Sequence, residues 1–165
     1  MLNHCRRKLQ GEYFPGEDRD LKAFGLLAGH RESWPTTTVS RCFPLLHNAR
    51  QSEAHRDYMD RMMAEHAIPS ETPLANRGWV AAPEELTEIL RRCRELDLLL
   101  IGSYHMHRLP WPHDPIRDTP TALDTILGSN SRLIMFIMSM VNPTSPTLRA
   151  FEEGNATREI PIHYI

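Results

Sequence analysis

The stretch PEELTEILRRCRELDLLLIGSYHMH, residues 83–107, decides the fold class of this chain. A proline and two acidic residues open it, a composition that favours the start of a helix, and apolar residues then recur at helical spacing. The run DLLLIGSY at 97–104 is almost continuously apolar, which predicts a central strand covered on both faces. A helix that leads directly into a buried strand indicates an α/β protein.

The segments on either side continue this alternation of helices and strands. In chain order the sequence predicts a helix over 2–13 that ends before Pro15 and Gly16, strands over 22–28 and 35–46, a helix over 120–127 with Thr119 as its N-cap and Gly128 at its end, and strands over 133–141, 147–151 and 159–165. We therefore expect a curved mixed β-sheet flanked by helices in a single domain of residues 1–165. Residues 50–77 are less regular, and we expect an insertion or flap there.

Length and composition restrict the class of protein. A chain of 165 residues that is 41% hydrophobic and 24% charged is typical of one globular domain. The net charge of −2 gives no basic footprint for nucleic acid, and no apolar run approaches the roughly 20 residues of a membrane span. Three widely spaced cysteines and the lack of a secretory signal favour reduced thiols in a cytoplasmic protein.

A candidate metal site follows the central strand. His105 and His107 are two residues apart, and side chains at i and i+2 of a strand project from the same face. Asp118 comes eleven residues after His107, where the next helix is expected to begin, and a helix N-terminus favours an ionised carboxylate. Two histidines and one carboxylate leave one position open for water, as in catalytic zinc sites. The sequence therefore predicts a Zn²⁺ site.

These residues and their neighbours resemble the JAMM/MPN-plus (Mov34/MPN/PAD-1) family of zinc metallopeptidases. KAFGLLAG at 22–29 and CFPLLHNA at 42–49 are similar to the first two blocks of that family, 83–107 to the helix and strand before the metal site, and LRAFEEGNATREIPIHYI at 148–165 to its closing hairpin. The resemblance implies a cytidine-deaminase-like MPN fold. It also implies zinc-dependent hydrolysis of a peptide or of the C-terminal tail of a ubiquitin-like, sulfur-carrier type protein.

Two positions depart from the family pattern. The family has a catalytic Glu seven residues before the last Gly of the first block, and Lys22 stands there; it has a Ser three residues before the metal-binding Asp, and Pro115 stands there. A neutral Lys22 amine could act as a base, or the ammonium could stabilise an oxyanion. The upstream carboxylates Glu17, Asp18 and Asp20 are alternative bases. The rival hypothesis is a catalytically impaired MPN module that binds zinc or a partner protein without hydrolysis.

The remaining candidates each have a structural and a functional interpretation. His113 and Asp114 are solvated loop residues or contacts of the metal or substrate, and Asn48 is a turn former or a residue near the site. Trp111 lines a substrate path or caps the core. The 50–77 segment contains three methionines, Met59, Met62 and Met63. We expect them to serve packing rather than to form a peptide groove.

Overall fold

The computed structural model describes residues 1–70 and 72–164, so Glu71 and Ile165, the last residue of the final predicted strand, lie outside the described residues. Four α-helices and six β-strands make up the described fold. The helices are α1 (Leu2–Gln10), α2 (Arg56–His66), α3 (Pro83–Glu95) and α4 (Ala122–Gly128). The strands are β1 (Phe24–Ser33), β2 (Thr36–Pro44), β3 (Leu99–His107), β4 (Ile134–Ser139), β5 (Thr147–Glu152) and β6 (Glu159–Ile160).

All six strands form one open sheet in the order β2-β1-β3-β4-β5-β6. The pair β3–β4 is parallel and the other four pairs are antiparallel. A parallel pair needs a crossover connection, and α4 lies in the connection between β3 and β4. The predicted mixed α/β sheet flanked by helices is therefore confirmed at the level of fold class.

Helices cover both faces of the sheet. On one face, Ile89 and Cys93 of α3 pack with Phe24 and Leu26 of β1 in a buried cluster. On the other face, Cys5 of α1 belongs to a cluster with Met138 and Met140, at and just beyond the end of β4, and with Ala23. The sheet thus buries the apolar sides of both α3 and α1. Burial of such apolar surface is the usual source of stability for a layered domain.

The segment predicted as an insertion or flap packs on α4. Met59 and Met63 of α2 are buried with Leu123 of α4 in a cluster of their own, with Met62 partly buried beside them. Arg50, just before α2, is 1% exposed and forms an ion pair with Asp60 at 2.5 Å. Met59 and Met63 therefore pack against α4, as the sequence predicted.

Several element boundaries differ from the prediction. Helix α1 ends at Gln10 because Gly11 adopts the left-handed conformation (φ 73°) that closes helices, well before Pro15. Strand β3 continues past Tyr104 to His107, since it pairs with β1 and β4 over these residues. Helix α4 begins after Thr121, which is its N-cap in place of Thr119.

The cysteines and helices also bear on the class of protein. All three cysteines are free thiols, Cys5 and Cys93 buried and Cys42 exposed. Across residues 1–70 and 72–164, the helices fall short of the length and apolar character needed to cross a membrane.

Candidate metal centre

The end of β3 positions the two histidines. His105 pairs with Phe24 of β1 and with Ile137 of β4, and His107 pairs with Ser139 at the end of β4. Their side chains share one face of the strand because they are two residues apart. The Nε2 atoms of His105 and His107 are 2.9 Å apart, and both side chains are buried. The sheet itself therefore brings the two imidazoles together.

The backbone carbonyl of Arg117 orients His107. His107 Nδ1 lies 2.7 Å from the Arg117 oxygen, which can only accept, so Nδ1 donates and the Nε2 lone pair is left free. Arg117 has a positive φ of 56°, and its guanidinium carbon lies 3.2 Å from the centroid of the Trp111 ring. An acceptor for the N–H of the outer ring nitrogen is the usual way in which a metal-binding histidine is held in the correct tautomer.

A capping box at the start of α4 positions the carboxylate. The Thr121 hydroxyl accepts a hydrogen bond from the Asp124 N–H at 3.2 Å, and Asp124 Oδ2 accepts from the Thr121 N–H at 2.7 Å. The second oxygen of the same carboxylate, Oδ1, lies 3.9 Å from His105 Nε2. One oxygen of Asp124 is therefore held by the helix terminus while the other faces the histidines.

Three ligand atoms, one from each of His105, His107 and Asp124, all lie within 4.8 Å of one another. Burial lowers the pKa of His105, and burial followed by the charge of His105 lowers the pKa of His107 to about 3. Both imidazoles are therefore neutral near pH 7, which is the form that binds metals. This buried group could bind a metal ion.

The group opens into a cleft with a volume of about 190 Å³. Met63, Ile68 and Trp79 line this cleft, and so does Trp111 of the loop after β3. Lys22 lies on the cleft together with His105 and His107. The segment predicted as a flap thus borders the candidate metal centre.

Asp118 lies elsewhere. Its carboxylate forms an ion pair with Arg149 of β5 at 2.9 Å, and the same arginine also binds Glu159. Arg149 pairs with Ile137, which in turn pairs with His105, so it lies two strands, or about 10 Å, from His105 across the sheet. Asp124, six residues further along the chain, occupies the place expected for Asp118.

The sequence carries a signal for the start of α4, the helix that supplies Asp124. Thr121-Ala-Leu-Asp124 has the spacing of a capping box before an apolar run, and it marks where α4 begins. The expected helix start near Thr119 favoured Asp118 as the ligand, whereas α4 begins after Thr121.

Lys22 stands where the sequence predicted a catalytic side chain, on the edge of the cleft just before β1. Its side chain is 31% exposed, and its Nζ lies 4.0 Å from Asp20 Oδ2. Burial lowers the pKa of Lys22, Asp20 raises it, and the charges of Arg50 and Arg108 lower it further, with a net decrease. Lys22 therefore loses its proton at a lower pH than an exposed lysine does.

The alternative bases face other partners. Glu17 accepts hydrogen bonds from His4 and Lys8 on the opposite side of the sheet, and Asp18 accepts from the Asn48 N–H at 2.8 Å. Asp20 Oδ1 binds Lys8 at 3.2 Å. Among residues 1–70 and 72–164, Asp124 is the one carboxylate that lines the cleft.

The other loop candidates have structural contacts. Asp114 accepts hydrogen bonds from the Arg117 N–H and the Thr119 hydroxyl, and the His113 ring stacks on Trp111 at 5.4 Å. Pro115 is exposed.

The Asn48 side chain accepts from the N–H groups of Arg50 and Val80 and donates to the Gly78 carbonyl. Asn48 therefore fixes the turn between β2 and the 50–77 segment, and this contact set identifies it as a turn residue.

Comparison with solved structures finds the solution structure of protein DSY2949 from Desulfitobacterium hafniense, with a TM-score of 0.57 and 23% sequence identity. The match covers 92% of this chain and 76% of that one. At this identity the similarity concerns the fold alone. No protein-family model matches the chain, and no curated protein does.

Proposed function

We propose that this protein is a zinc-dependent hydrolase of the JAMM/MPN-plus kind, which cleaves an amide bond in a peptide or in the C-terminal tail of a ubiquitin-like protein. The observation that carries the proposal is the convergence of His105, His107 and Asp124 at the base of an open cleft. We also propose that the fold is that of a cytidine-deaminase-like MPN domain.

The donor set fits zinc. Two imidazole nitrogens and one carboxylate oxygen, with the cleft on the remaining side, correspond to a catalytic zinc site in which three protein ligands leave one position open. A bound Zn²⁺ supplies a water of lowered pKa and polarises the scissile carbonyl. The neutral histidines and the carbonyl of Arg117 prepare the site for the ion before it binds.

The shift from Asp118 to Asp124 brings the site closer to the family pattern. The resemblance implies a hydroxyl residue three positions before the metal-binding Asp, and the first count placed Pro115 there. Thr121 lies three positions before Asp124, and it lines the cleft. Its hydroxyl donates to Asp124 Oδ2 at 2.8 Å in this structure; turned toward the cleft, it could instead donate to an oxyanion, which proline cannot do.

We assign Lys22 the role of proton acceptor. It lines the cleft at the position of the family's Glu, and its pKa is lowered by burial and by nearby arginines. A neutral amine can take a proton from the attacking water and return it to the leaving amine, whereas an ammonium can only stabilise negative charge.

Metal content tests the ligand set. We expect about one zinc per chain in the wild-type protein purified without chelator, as three ligands imply, and loss of that zinc in His107→Ala and Asp124→Asn. Asp118→Asn is the matched control and should retain the metal, because Asp118 binds Arg149. If Asp124→Asn retained zinc and Asp118→Asn lost it, Asp118 would be the third ligand.

Hydrolysis of a peptide that ends in Gly-Gly tests the role of Lys22. We expect Lys22→Arg to abolish turnover, since a guanidinium does not accept a proton near pH 7, and Lys22→Glu to raise it by restoring a carboxylate. Equal rates for the wild type and Lys22→Arg would contradict the assignment of Lys22 as base. Zinc content is measured on every variant so that a lost metal is not mistaken for a lost base.

The second candidate function is a metal-binding module that holds a partner's tail without cutting it. The observation in its favour is that Asp124, already used by the metal group, is the one carboxylate on the cleft among the described residues. Zinc-loaded wild type that binds the peptide, leaves it intact, and gains turnover on Lys22→Glu would support this candidate.

A further inference from the structure

The cleft has a strongly one-sided set of charges. Three arginines, Arg77, Arg108 and Arg117, line it together with Lys22, whereas Asp124 is the one lining carboxylate within 1–70 and 72–164. All three arginines are partly buried. A guanidinium is charged near pH 7, so this side of the site is cationic there whatever the state of Lys22.

None of these three arginines has an ion-pair partner within 4.0 Å among the residues that the structure describes. Elsewhere among the described residues some arginines are paired and others are not. The half-buried Arg149 binds Asp118 at 2.9 Å, whereas the half-buried Arg31 donates to the carbonyl of Arg132. What distinguishes the cleft is that three arginines without a described ion-pair partner line it together.

The contacts of the three arginines are to neutral groups. Arg77 donates to the carbonyl of Ile68 at 2.7 Å, and Arg117 donates to the carbonyl of Leu109 at 3.1 Å while stacking on Trp111. The Nε atom of Arg117 is buried without a hydrogen-bond partner among the described residues. Several guanidinium donors are thus left without an acceptor of negative charge.

The arginines also act on one another. Burial lowers the pKa of Arg117 to about 10; the charges of Asp124 and Asp114 oppose this decrease, and those of Arg77 and Arg108 add to it. Bringing like charges together in a partly buried site costs free energy unless an anion compensates for them. Planar guanidinium groups are well suited to binding a carboxylate through two parallel hydrogen bonds.

The geometry points to an acidic peptide as the occupant of this cleft: we propose that carboxylates flanking the bond presented to the metal centre are bound by Arg77 and Arg108, with Arg117 contributing charge from the loop after β3. The inference rests on the proposed function only in taking a peptide tail as the ligand. To the proposed function it adds a substrate class: peptide tails that carry carboxylates close to the amide bond that reacts.

The test is a binding measurement, so that it does not depend on turnover. Two peptides labelled at the N-terminus with the same dye, Glu-Glu-Ala-Gly-Gly and Gln-Gln-Ala-Gly-Gly, are each prepared with a free and with an amidated C-terminus. Fluorescence anisotropy at low salt gives the affinity of each for the full chain. The Glu and Gln pair reports on side-chain carboxylates, and the amidated pair reports on the terminal carboxylate.

We expect the acidic peptide to bind about tenfold more tightly than the neutral one, the increment of about one charge-assisted contact. Arg108→Gln and Arg77→Gln should each remove most of that preference, and Arg108→Lys should retain part of it. Arg94→Gln removes the same charge from the exposed face of α3 and is the matched control, with the preference unchanged. The preference should decrease as salt is added, because exposed charges are screened within about 10 Å at 0.1 M.

The His107→Ala variant separates this inference from the proposed function. An acidic preference that persists in His107→Ala and disappears in Arg108→Gln supports the cationic cleft even if no peptide is hydrolysed. Equal affinity for the Glu and Gln peptides, or binding of neither, overturns the inference. Hydrolysis of neutral peptides alongside equal affinities would leave the hydrolase proposal standing and the acidic substrate class refuted.

Discussion

Strand β3 carries a polar cluster on each of its two faces. Tyr104 belongs to a cluster on the α1 face with His4, Lys8 and Glu17, which we call the His4 cluster. The next residue, His105, belongs to the group with His107 and Asp124 on the opposite face, the His105 cluster. Adjacent residues of a strand point to opposite faces, so one strand supports both.

The His4 cluster is closed. His4 Nδ1 lies 2.7 Å from the Tyr104 hydroxyl, His4 Nε2 lies 2.7 Å from Glu17, and Lys8 Nζ lies 2.9 Å from Glu17. The second oxygen of Glu17 accepts from the Phe14 N–H at 2.8 Å. A neutral imidazole that accepts from tyrosine and donates to glutamate satisfies both ring nitrogens.

The His105 cluster is open. His105 Nδ1 is buried without a partner among the described residues, and Asp124 Oδ1 approaches the histidines only to 3.9 Å. We therefore expect the closed His4 cluster to stabilise the fold and the open His105 cluster to bind a ligand. Fully paired buried groups stabilise the fold, whereas the His105 cluster, apart from the 2.9 Å contact between its two Nε2 atoms, keeps ligand atoms without a close partner that can take up a further group. The predictions below test this contrast.

Removing Glu17 should have the largest effect. Glu17→Ala leaves the buried His4 without its carboxylate and Lys8 with Asp20 as its remaining one, and we expect the free energy of unfolding to decrease by about 3–5 kcal/mol, the usual range for breaking a buried ion pair. Urea denaturation measures it, with Asp124→Ala as the comparison from the open cluster. A loss no larger than that of Asp124→Ala would remove the distinction between the clusters.

Acidification should destabilise the metal-free protein through its buried histidines. Burial and the neighbouring His105 lower the pKa of His107 from its usual 6.5 to about 3. Below pH 6.5 the unfolded chain therefore binds a proton that the folded chain does not, and stability is lost as pH falls toward 3, while above 6.5 it is constant. One such histidine contributes about 1.4 kcal/mol per pH unit in this window.

Denaturation of the chelated protein between pH 6.5 and 5 checks this expectation. His107→Gln should reduce the total loss over that range by about 2 kcal/mol relative to the wild type, since one titrating group has been removed. An identical pH profile in the two proteins would show that His107 is not held neutral by the fold.

Tyr104→Phe should weaken the closed cluster alone. The substitution removes the donor to His4 Nδ1 and keeps the ring that packs with Leu27 and Phe136. We expect a decrease in unfolding free energy of about 1–2 kcal/mol, the cost of an unsatisfied buried acceptor, and unchanged zinc content. Loss of zinc from this variant would mean that the two faces of β3 are coupled.

Thr121→Ala should give the smallest change in stability and act on the open cluster. Loss of an N-cap side chain costs about 1 kcal/mol, and Asp124 also loses the partner that orients its carboxylate. We expect weaker zinc binding in a chelator competition assay, with Thr121→Ser close to the wild type. Equal zinc affinity in Thr121→Ala would show that the capping box does not position the ligand.

Local patterns predicted most of the fold. The apolar stripe of α3, the buried run of β3 and the turn of the final hairpin depend on neighbours in the chain, and each formed where it was expected. Boundaries set by pairing were less accurate: β3 extends to His107 because strands β1 and β4 hold it there.

The sequence predicted only part of the candidate site, because part of it depends on a contact with a residue distant in the chain. The spacing of His105 and His107 alone places them on one face of a strand, so the sequence sufficed for that pair. Asp118 and Asp124 are both close to the start of α4, and the choice between them depends on Arg149, a residue distant in sequence that binds the first of the two.

The sequence by itself determined an α/β chain with two histidines on one strand face and a lysine ahead of β1, because these features follow from periodicity and local spacing. Only the tertiary structure decided which carboxylate joins the histidines, which arginines line the cleft and which polar groups are paired. Those outcomes depend on contacts between residues far apart in the chain, and side-chain spacing along a strand or helix carries no information about them.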